Sequence, residues 1–194
     1  MRLRPCGDTA LLLDCADPGE ARAWHAALAP QAEATLGAST VLLRGDPPAL
    51  RRLVAVTTPG AVAPLGDGEI VIAVVYDGPD LAEVARITGL TETEVIAAHT
   101  GTAWDVAFTG FAPGFAYLTG GDPRLHVPRR GTPRARVPAG SVALAGPYAG
   151  VYPRASPGGW QLIGRTEAVL WDLDRDPPAL LRPCLRVRFA EDRR

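Results

Sequence analysis

From Gly110 to Arg165 the chain is punctuated by Gly and Pro so often that its apolar residues fall into short runs. Glycine and proline at that density interrupt helices, whereas short runs joined by turns suit a closed or nearly closed β-barrel with long loops. The same stretch is unusual in charge. No acidic residue stands between Asp122 and Glu167, while Arg124, Arg129, Arg130, Arg134, Arg136, Arg154 and Arg165 all fall there. Guanidinium groups without local counter-charges must pair with acids brought in by the fold, meet another protein chain, or attract a carboxylate or phosphate, which they grip in bidentate fashion.

Upstream, the signals are those of a mixed fold. Leu3 to Leu13 reads as a strand, a Gly7-Asp8 turn and a second strand from Ala10. Asp17-Pro18-Gly19-Glu20 offers an Asp N-cap, Pro at the first helical position and Glu in the capping-box place, which predicts a helix to about Leu28. Thr40 to Arg44 reads as a strand, and Asp46-Pro47 opens a second helix toward Val56. These elements make a small α+β unit. The Pro- and Gly-rich stretch 57–68 reads as a linker and sets the expected domains at 1–66 and 67–194. Beyond it come a strand from Glu69 to Tyr76, a helix from Pro79 to Ile87, a Thr91-x-x-Glu94 capping box leading a helix to His99, and a strand from Thr102 to Phe108.

Composition narrows the function classes. With 194 residues, 47% of them apolar, the chain can bury a sizeable core. A formal net charge of −1 points to neither nucleic acid nor a membrane surface, which leaves a small molecule or a protein as partner. No apolar run approaches the roughly 20 residues of a membrane span, and the N-terminus turns polar at Gly7-Asp8, so a cytoplasmic protein is expected. Cys6, Cys15 and Cys184 are widely spaced without a C-x-x-C, which predicts free thiols and neither a disulfide framework nor a metal site. All 20 basic residues are Arg. Without Lys, this chain offers no Walker A lysine, no Schiff base, no Ser-Ser-Lys amidase and no biotin tether, so such chemistry must come from another chain.

Several segments carry candidate chemistry. Gly110-Phe111-Ala112-Pro113-Gly114-Phe115-Ala116-Tyr117-Leu118 follows a predicted strand, and its glycines and amides suit close approach to an anion. Equally, Phe111, Phe115 and Tyr117 suit a plug at one end of the barrel. Pro138-Ala139-Gly140-Ser141 and Ser156-Pro157-Gly158-Gly159-Trp160 place hydroxyls on Gly-rich turns. Neither fits G-x-S-x-G or has an assigned base, so they read as binding hydroxyls. His99, at a helix end just before the barrel, is the titratable candidate, against the alternative of a packed histidine; His25 reads as structural. Arg129 and Arg134 follow Pro128 and Pro133, which restrict the local backbone and favour a fixed guanidinium direction. At least one is expected to contact an anionic ligand, the competing expectation being that both pair with acids.

In order along the chain stand His99-Thr100, the 110–118 segment, Pro128-Arg129, Thr132-Pro133-Arg134, Val137-Pro138-Ala139-Gly140-Ser141-Val142, Tyr152-Pro153 and Ser156-Pro157-Gly158-Gly159-Trp160-Gln161-Leu162-Ile163-Gly164-Arg165-Thr166. With Gly7-Asp8-Thr9-Ala10, this series resembles the family variously called the B subunit of 5-oxoprolinase, allophanate hydrolase subunit 1 and KipI-type kinase inhibitor. The resemblance implies an α+β fold in which a small N-terminal domain precedes a cyclophilin-like β-barrel. It implies direct assembly with the C subunit of 5-oxoprolinase, functional dependence on its A subunit, and ATP-driven opening of 5-oxoproline to L-glutamate, with ATP consumed by the complex. His99, Ser141 and Tyr152 are then the catalytic candidates. Gly110, Phe111, Pro113, Gly114, Phe115, Tyr117, Arg129, Arg134, Gly158, Gly159 and Trp160 are the substrate- or anion-binding candidates. Two alternatives come with the family: a carboxyltransferase-like subunit of urea metabolism, and a non-catalytic inhibitor of a sensor histidine kinase. One departure bears on substrate choice. Where the family commonly shows Gln-Thr-Gly, this chain has Tyr148-Ala149-Gly150.

Overall fold

The computed structural model describes residues 1–61, 68–183 and 185–193. The chain divides into two compact units, Met1–Pro64 and Leu65–Arg194. The boundary read between 66 and 67, much of the 57–68 linker, and Cys184 lie outside the described residues.

In the first unit, β1 (Arg2–Pro5), β2 (Ala10–Asp14), β3 (Glu33–Leu36) and β4 (Thr40–Arg44) form an antiparallel sheet in the order β1-β2-β4-β3, joined by α1 (Pro18–Leu28) and α2 (Pro47–Val56). Both helices start where their caps put them. The Asp17 carboxylate accepts from the Glu20 amide at 2.8 Å and the Asp46 carboxylate from the Ala49 amide at 2.9 Å, satisfying amides that have no partner inside a helix. Ala21, Trp24 and Leu28 repeat at helical spacing on the buried face of α1, and Leu50 and Val54 do so on α2. The sheet answers with Leu11, Leu13, Val41 and Leu43, all fully buried. Strand β3 is the element the sequence did not announce, since Glu33-Ala34-Thr35-Leu36 buries only Leu36.

The second unit contains β5 (Glu69–Val74), α3 (Leu81–Thr88), α4 (Glu92–Gly101), β6 (Trp104–Thr109), β7 (Ala116–Thr119), β8 (Arg134–Val137), β9 (Ser141–Ala145), β10 (Tyr148–Val151), β11 (Ser156–Gly158), β12 (Gln161–Arg165) and β13 (Arg186–Glu191). Seven strands make one sheet in the order β12-β9-β10-β7-β6-β13-β5, and β8 pairs with β11 alone. The two ends of the large sheet meet at Val75 and Arg165, whose backbones exchange hydrogen bonds of 2.9 Å in both directions. The result is a nearly closed, barrel-like sheet. Gly164 permits the closure: a Cβ there would lie 2.6 Å from the Val75 carbonyl oxygen. Strand β13 was not read from the sequence, yet it lies between β6 and β5, parallel to β5.

Every residue of β9 is buried, which marks it as a strand covered on both faces. Val142 and Leu144 join the main core with Val84 of α3, Val95 of α4 and Phe189 of β13. Ala143 and Ala145 face a second cluster built on Phe115, Tyr152 and Trp160. Helix α3 ends on Gly89 at φ 71°, and α4 opens on a capping box in which Thr91 and Glu94 exchange hydrogen bonds of 2.8 and 3.2 Å.

Candidate functional site

The second cluster opens onto a small pocket of about 100 Å³ lined by Phe111, Phe115, Tyr117, Arg129, Tyr152, Pro157, Gly158, Gly159 and Trp160. Its walls are rings set edge to face. Phe115 is the hub, with ring centroids 5.0 Å from Tyr117, 5.5 Å from Tyr152 and 5.5 Å from Trp160. Such T-shaped pairs are favoured by the ring quadrupoles and hold the walls rigid. Glycine makes the close packing possible: a Cβ on Gly158 would sit 2.4 Å from the Tyr152 hydroxyl. The departure at Tyr148 lies behind this wall, its ring 5.6 Å from that of Tyr117.

The 110–115 turn supplies the exposed rim. The Phe115 amide donates to the Ala112 carbonyl at 2.9 Å, and the Ala112 amide to the Gly110 carbonyl at 2.8 Å. Phe111 takes a φ of 66° and stands 57% exposed, an uncommon backbone state for a bulky residue. Gly110, Phe111, Pro113 and Gly114 also line an adjoining cleft of about 440 Å³ with Trp171 and Leu181.

Arg129 is the pocket's one cationic lining residue, and it is exposed, with no hydrogen bond or ion pair among the described residues. Four other arginines of the acid-free interval are committed. Arg124 pairs with Asp122 and Arg165 with Asp77, while Arg130 and Arg134 both bind Asp80. Burial pushes the Tyr117 and Tyr152 hydroxyls above their usual range, an effect that the Arg129 charge opposes. Both phenols are therefore protonated at neutral pH and can donate to an anion held by Arg129.

Eight expected site residues thus meet around one pocket: Phe111, Phe115, Tyr117, Arg129, Tyr152, Gly158, Gly159 and Trp160. The remaining ones stand elsewhere. Arg134 forks onto Asp80, with Nη1 and Nη2 each 2.8 Å from a carboxylate oxygen. Ser141 lines a separate cleft of about 330 Å³ with Arg134, Arg136 and Arg165, and its hydroxyl donates to the Pro138 carbonyl at 2.8 Å. His99 is fully buried, its Nδ1 2.7 Å from the Tyr76 hydroxyl and its ring stacked 4.2 Å from Phe189. Burial alone lowers its pKa to about 3, so the imidazole is neutral at physiological pH, and its Nε2 is buried without a hydrogen-bond partner among the described residues.

Asp80 and Gln161 were missed by sequence reading. Asp80 looks like one more helix cap, but its carboxylate makes no cap hydrogen bond and instead accepts from Arg130, Arg134 and the Leu162 amide. Those partners stand 50, 54 and 82 residues away, a separation no local pattern encodes. Among the described residues no group of three or more His, Cys, Asp or Glu is placed to hold a metal ion, and no helix is long and apolar enough to cross a membrane.

Fold and connectivity define a carboxyltransferase-like barrel domain. The Kluyveromyces lactis urea carboxylase contains the same architecture, with a TM-score of 0.73 at 20% identity over 98% of this chain and 21% of that one, a likeness of fold alone. The family model for the carboxyltransferase domain, subdomain C and D, matches residues 1–181, and the chain belongs to that family. It is 54% identical over 123 residues to the B subunit of 5-oxoprolinase from Escherichia coli O157:H7, covering 62% of this chain and 56% of that protein. It is 50% identical over 112 residues to the B subunit of 5-oxoprolinase from Bacillus subtilis (strain 168), covering 58% and 47%. The chain spans about half the length of the curated relatives it matches. The crystal structure of TTHA0988 gives a TM-score of 0.79 at 34% identity, over 100% of this chain and 41% of that one.

Proposed function

We propose that this chain serves as the B subunit of a cytoplasmic, ATP-dependent 5-oxoprolinase, in direct assembly with the C subunit of that enzyme, and works with the A subunit to open 5-oxoproline to L-glutamate. The observation that carries the reading is the pocket in which one unpaired guanidinium, Arg129, stands beside five aromatic rings. A small ring bearing a carboxylate suits that lining: the guanidinium fork takes the carboxylate, the phenols of Tyr117 and Tyr152 donate, and the exposed Phe111 ring stands at the rim. The names of the relatives at 50–54% identity support the same substrate.

On this reading the chain binds the lactam and orients it for opening by the complex. Of the three catalytic candidates only Tyr152 borders the pocket. Because the chain has no lysine, a phosphate-binding lysine loop for ATP belongs to another member of the complex. The urea-linked alternative shares the carboxyltransferase family match, which does not separate the two readings, and otherwise has a fold shared with a urea carboxylase at 20% identity. The test is reconstitution: the chain mixed with the A and C subunits releases glutamate from 5-oxoproline and ATP, and the chain alone releases none. Turnover by the chain alone, or by the A and C subunits without it, would overturn the proposal.

A further inference from the structure

We infer that Gln161 and Asp80 are positioning residues, which act on the aromatic pocket by holding Arg129 at its edge; this rests on the reading of that pocket as an anion site. Arg129 itself touches no partner among the described residues, yet the chain on either side of it is fixed. Before it, Gln161 Nε2 donates to the Pro128 carbonyl at 3.1 Å. After it, the Arg130 amide donates to the Gly159 carbonyl at 2.8 Å, and Arg130 Nη1 donates to Asp80 Oδ1 at 2.6 Å. Asp80 is in turn anchored to β12, accepting from the Leu162 amide at 2.7 Å, and it grips Arg134 beyond. The segment carrying Arg129 is thus tied at both ends to the same stretch, 159–162, that supplies Gly159 and Trp160 to the pocket wall. The first tie is effective because the Pro128 carbonyl and the Arg129 amide belong to one planar peptide unit, so the hydrogen bond to the oxygen sets the plane from which Arg129 departs.

Gln161 contributes poorly as a core residue. It is 4% exposed, and its Oε1 is buried without a hydrogen-bond partner among the described residues. An unmet buried acceptor costs stability that an apolar side chain of similar length avoids. What the amide supplies and an apolar chain cannot is the hydrogen bond that sets Pro128, and through it Arg129.

A double-mutant cycle read by 5-oxoproline binding to the full chain, through Trp fluorescence or calorimetry, tests this. Gln161→Met is expected to weaken binding about tenfold in the native background and not at all in an Arg129→Ala background, because it acts through the group already removed. Asp80→Asn is expected to show the same loss of effect, and where too little of it folds to titrate, the Gln161→Met arm decides. Equal losses in both backgrounds, or wild-type affinity for Gln161→Met, would overturn the positioning role. A different result, no saturable binding by the wild type or unchanged affinity in Arg129→Ala alone, would instead sink the anion-site reading on which it rests.

Discussion

Arg134 holds Asp80 by a two-point fork, Nη1 to Oδ2 and Nη2 to Oδ1, each at 2.8 Å, with the carboxylate 3% exposed. Burial works against the charged form of Asp80. The Arg134 and Leu162 hydrogen bonds and the charges of Arg134 and Arg130 outweigh it and hold its pKa below the usual carboxylate value. Removing one member of such a buried network leaves charge uncompensated. Asp80→Ala should therefore destabilise the second unit by about 3–5 kcal/mol in chemical denaturation. A loss under about 1 kcal/mol would show the fork to be no more than a surface ion pair.

Helix caps and the barrel region were legible because their causes are local. Asp17 and Asp46 sit next to the amides they cap, and many of the Gly and Pro of 110–165, such as Pro113, Gly114, Gly140 and Gly146, sit between the strands they separate. The aromatic pocket was legible for the same reason, since Phe111, Phe115 and Tyr117 occupy one segment and Gly158, Gly159 and Trp160 another. What stayed hidden depended on distance along the chain. Nothing near Arg134 says that Asp80 waits 54 residues upstream, so the two equal candidates of the acid-free interval could not be told apart. The burial of His99 stayed hidden for a related reason: its helix-end position was visible, but the Phe189 that stacks on it belongs to β13, 90 residues later and unread.

The burial of His99 makes a pH prediction. Its folded pKa, lowered to about 3, lies below the ordinary value of 6.5, so between them the unfolded chain binds the extra proton and stability falls as pH drops. Above 6.5 the contribution is fully present; it is lost progressively toward 3. From pH 7 to pH 5 His99 alone should cost about 2 kcal/mol of unfolding free energy. Denaturation curves at the two pH values should show this difference in the wild type and lose most of it in His99→Leu. Identical pH dependence in both proteins would mean that the imidazole is not held neutral.

Phe111 separates a plug from a ligand contact. Replacing it by Gly relieves the positive φ, so stability should stay within about 1 kcal/mol of wild type while 5-oxoproline affinity falls. A loss of more than about 2 kcal/mol with unchanged affinity would identify a structural plug.

Gly158→Ala places a methyl group 2.4 Å from the Tyr152 hydroxyl. The ring must move or the β11 backbone must give, costing about 1–3 kcal/mol and distorting the pocket. Melting temperature and ligand affinity should fall together, and partial recovery of the melting temperature, without recovery of affinity, in a Gly158→Ala, Tyr152→Phe double variant would confirm the site of the clash, since the ring carbons Cζ and Cε1 stay 3.0 and 3.1 Å from the added methyl. Wild-type behaviour of Gly158→Ala alone would contradict the close packing.

The central claim is that Arg129 supplies the charge that binds substrate, and the most direct measurement compares the wild type with Arg129→Ala and Arg129→Lys in the assembled complex. Losing a charged hydrogen bond should weaken 5-oxoproline binding about ten- to a hundredfold in Arg129→Ala. Lysine should restore only part of that, since a point charge cannot reproduce the fork. Because Arg129 pairs with nothing among the described residues, the melting temperature should hardly change. Unchanged affinity in Arg129→Ala, or a lost affinity fully explained by a lowered melting temperature, would contradict the account.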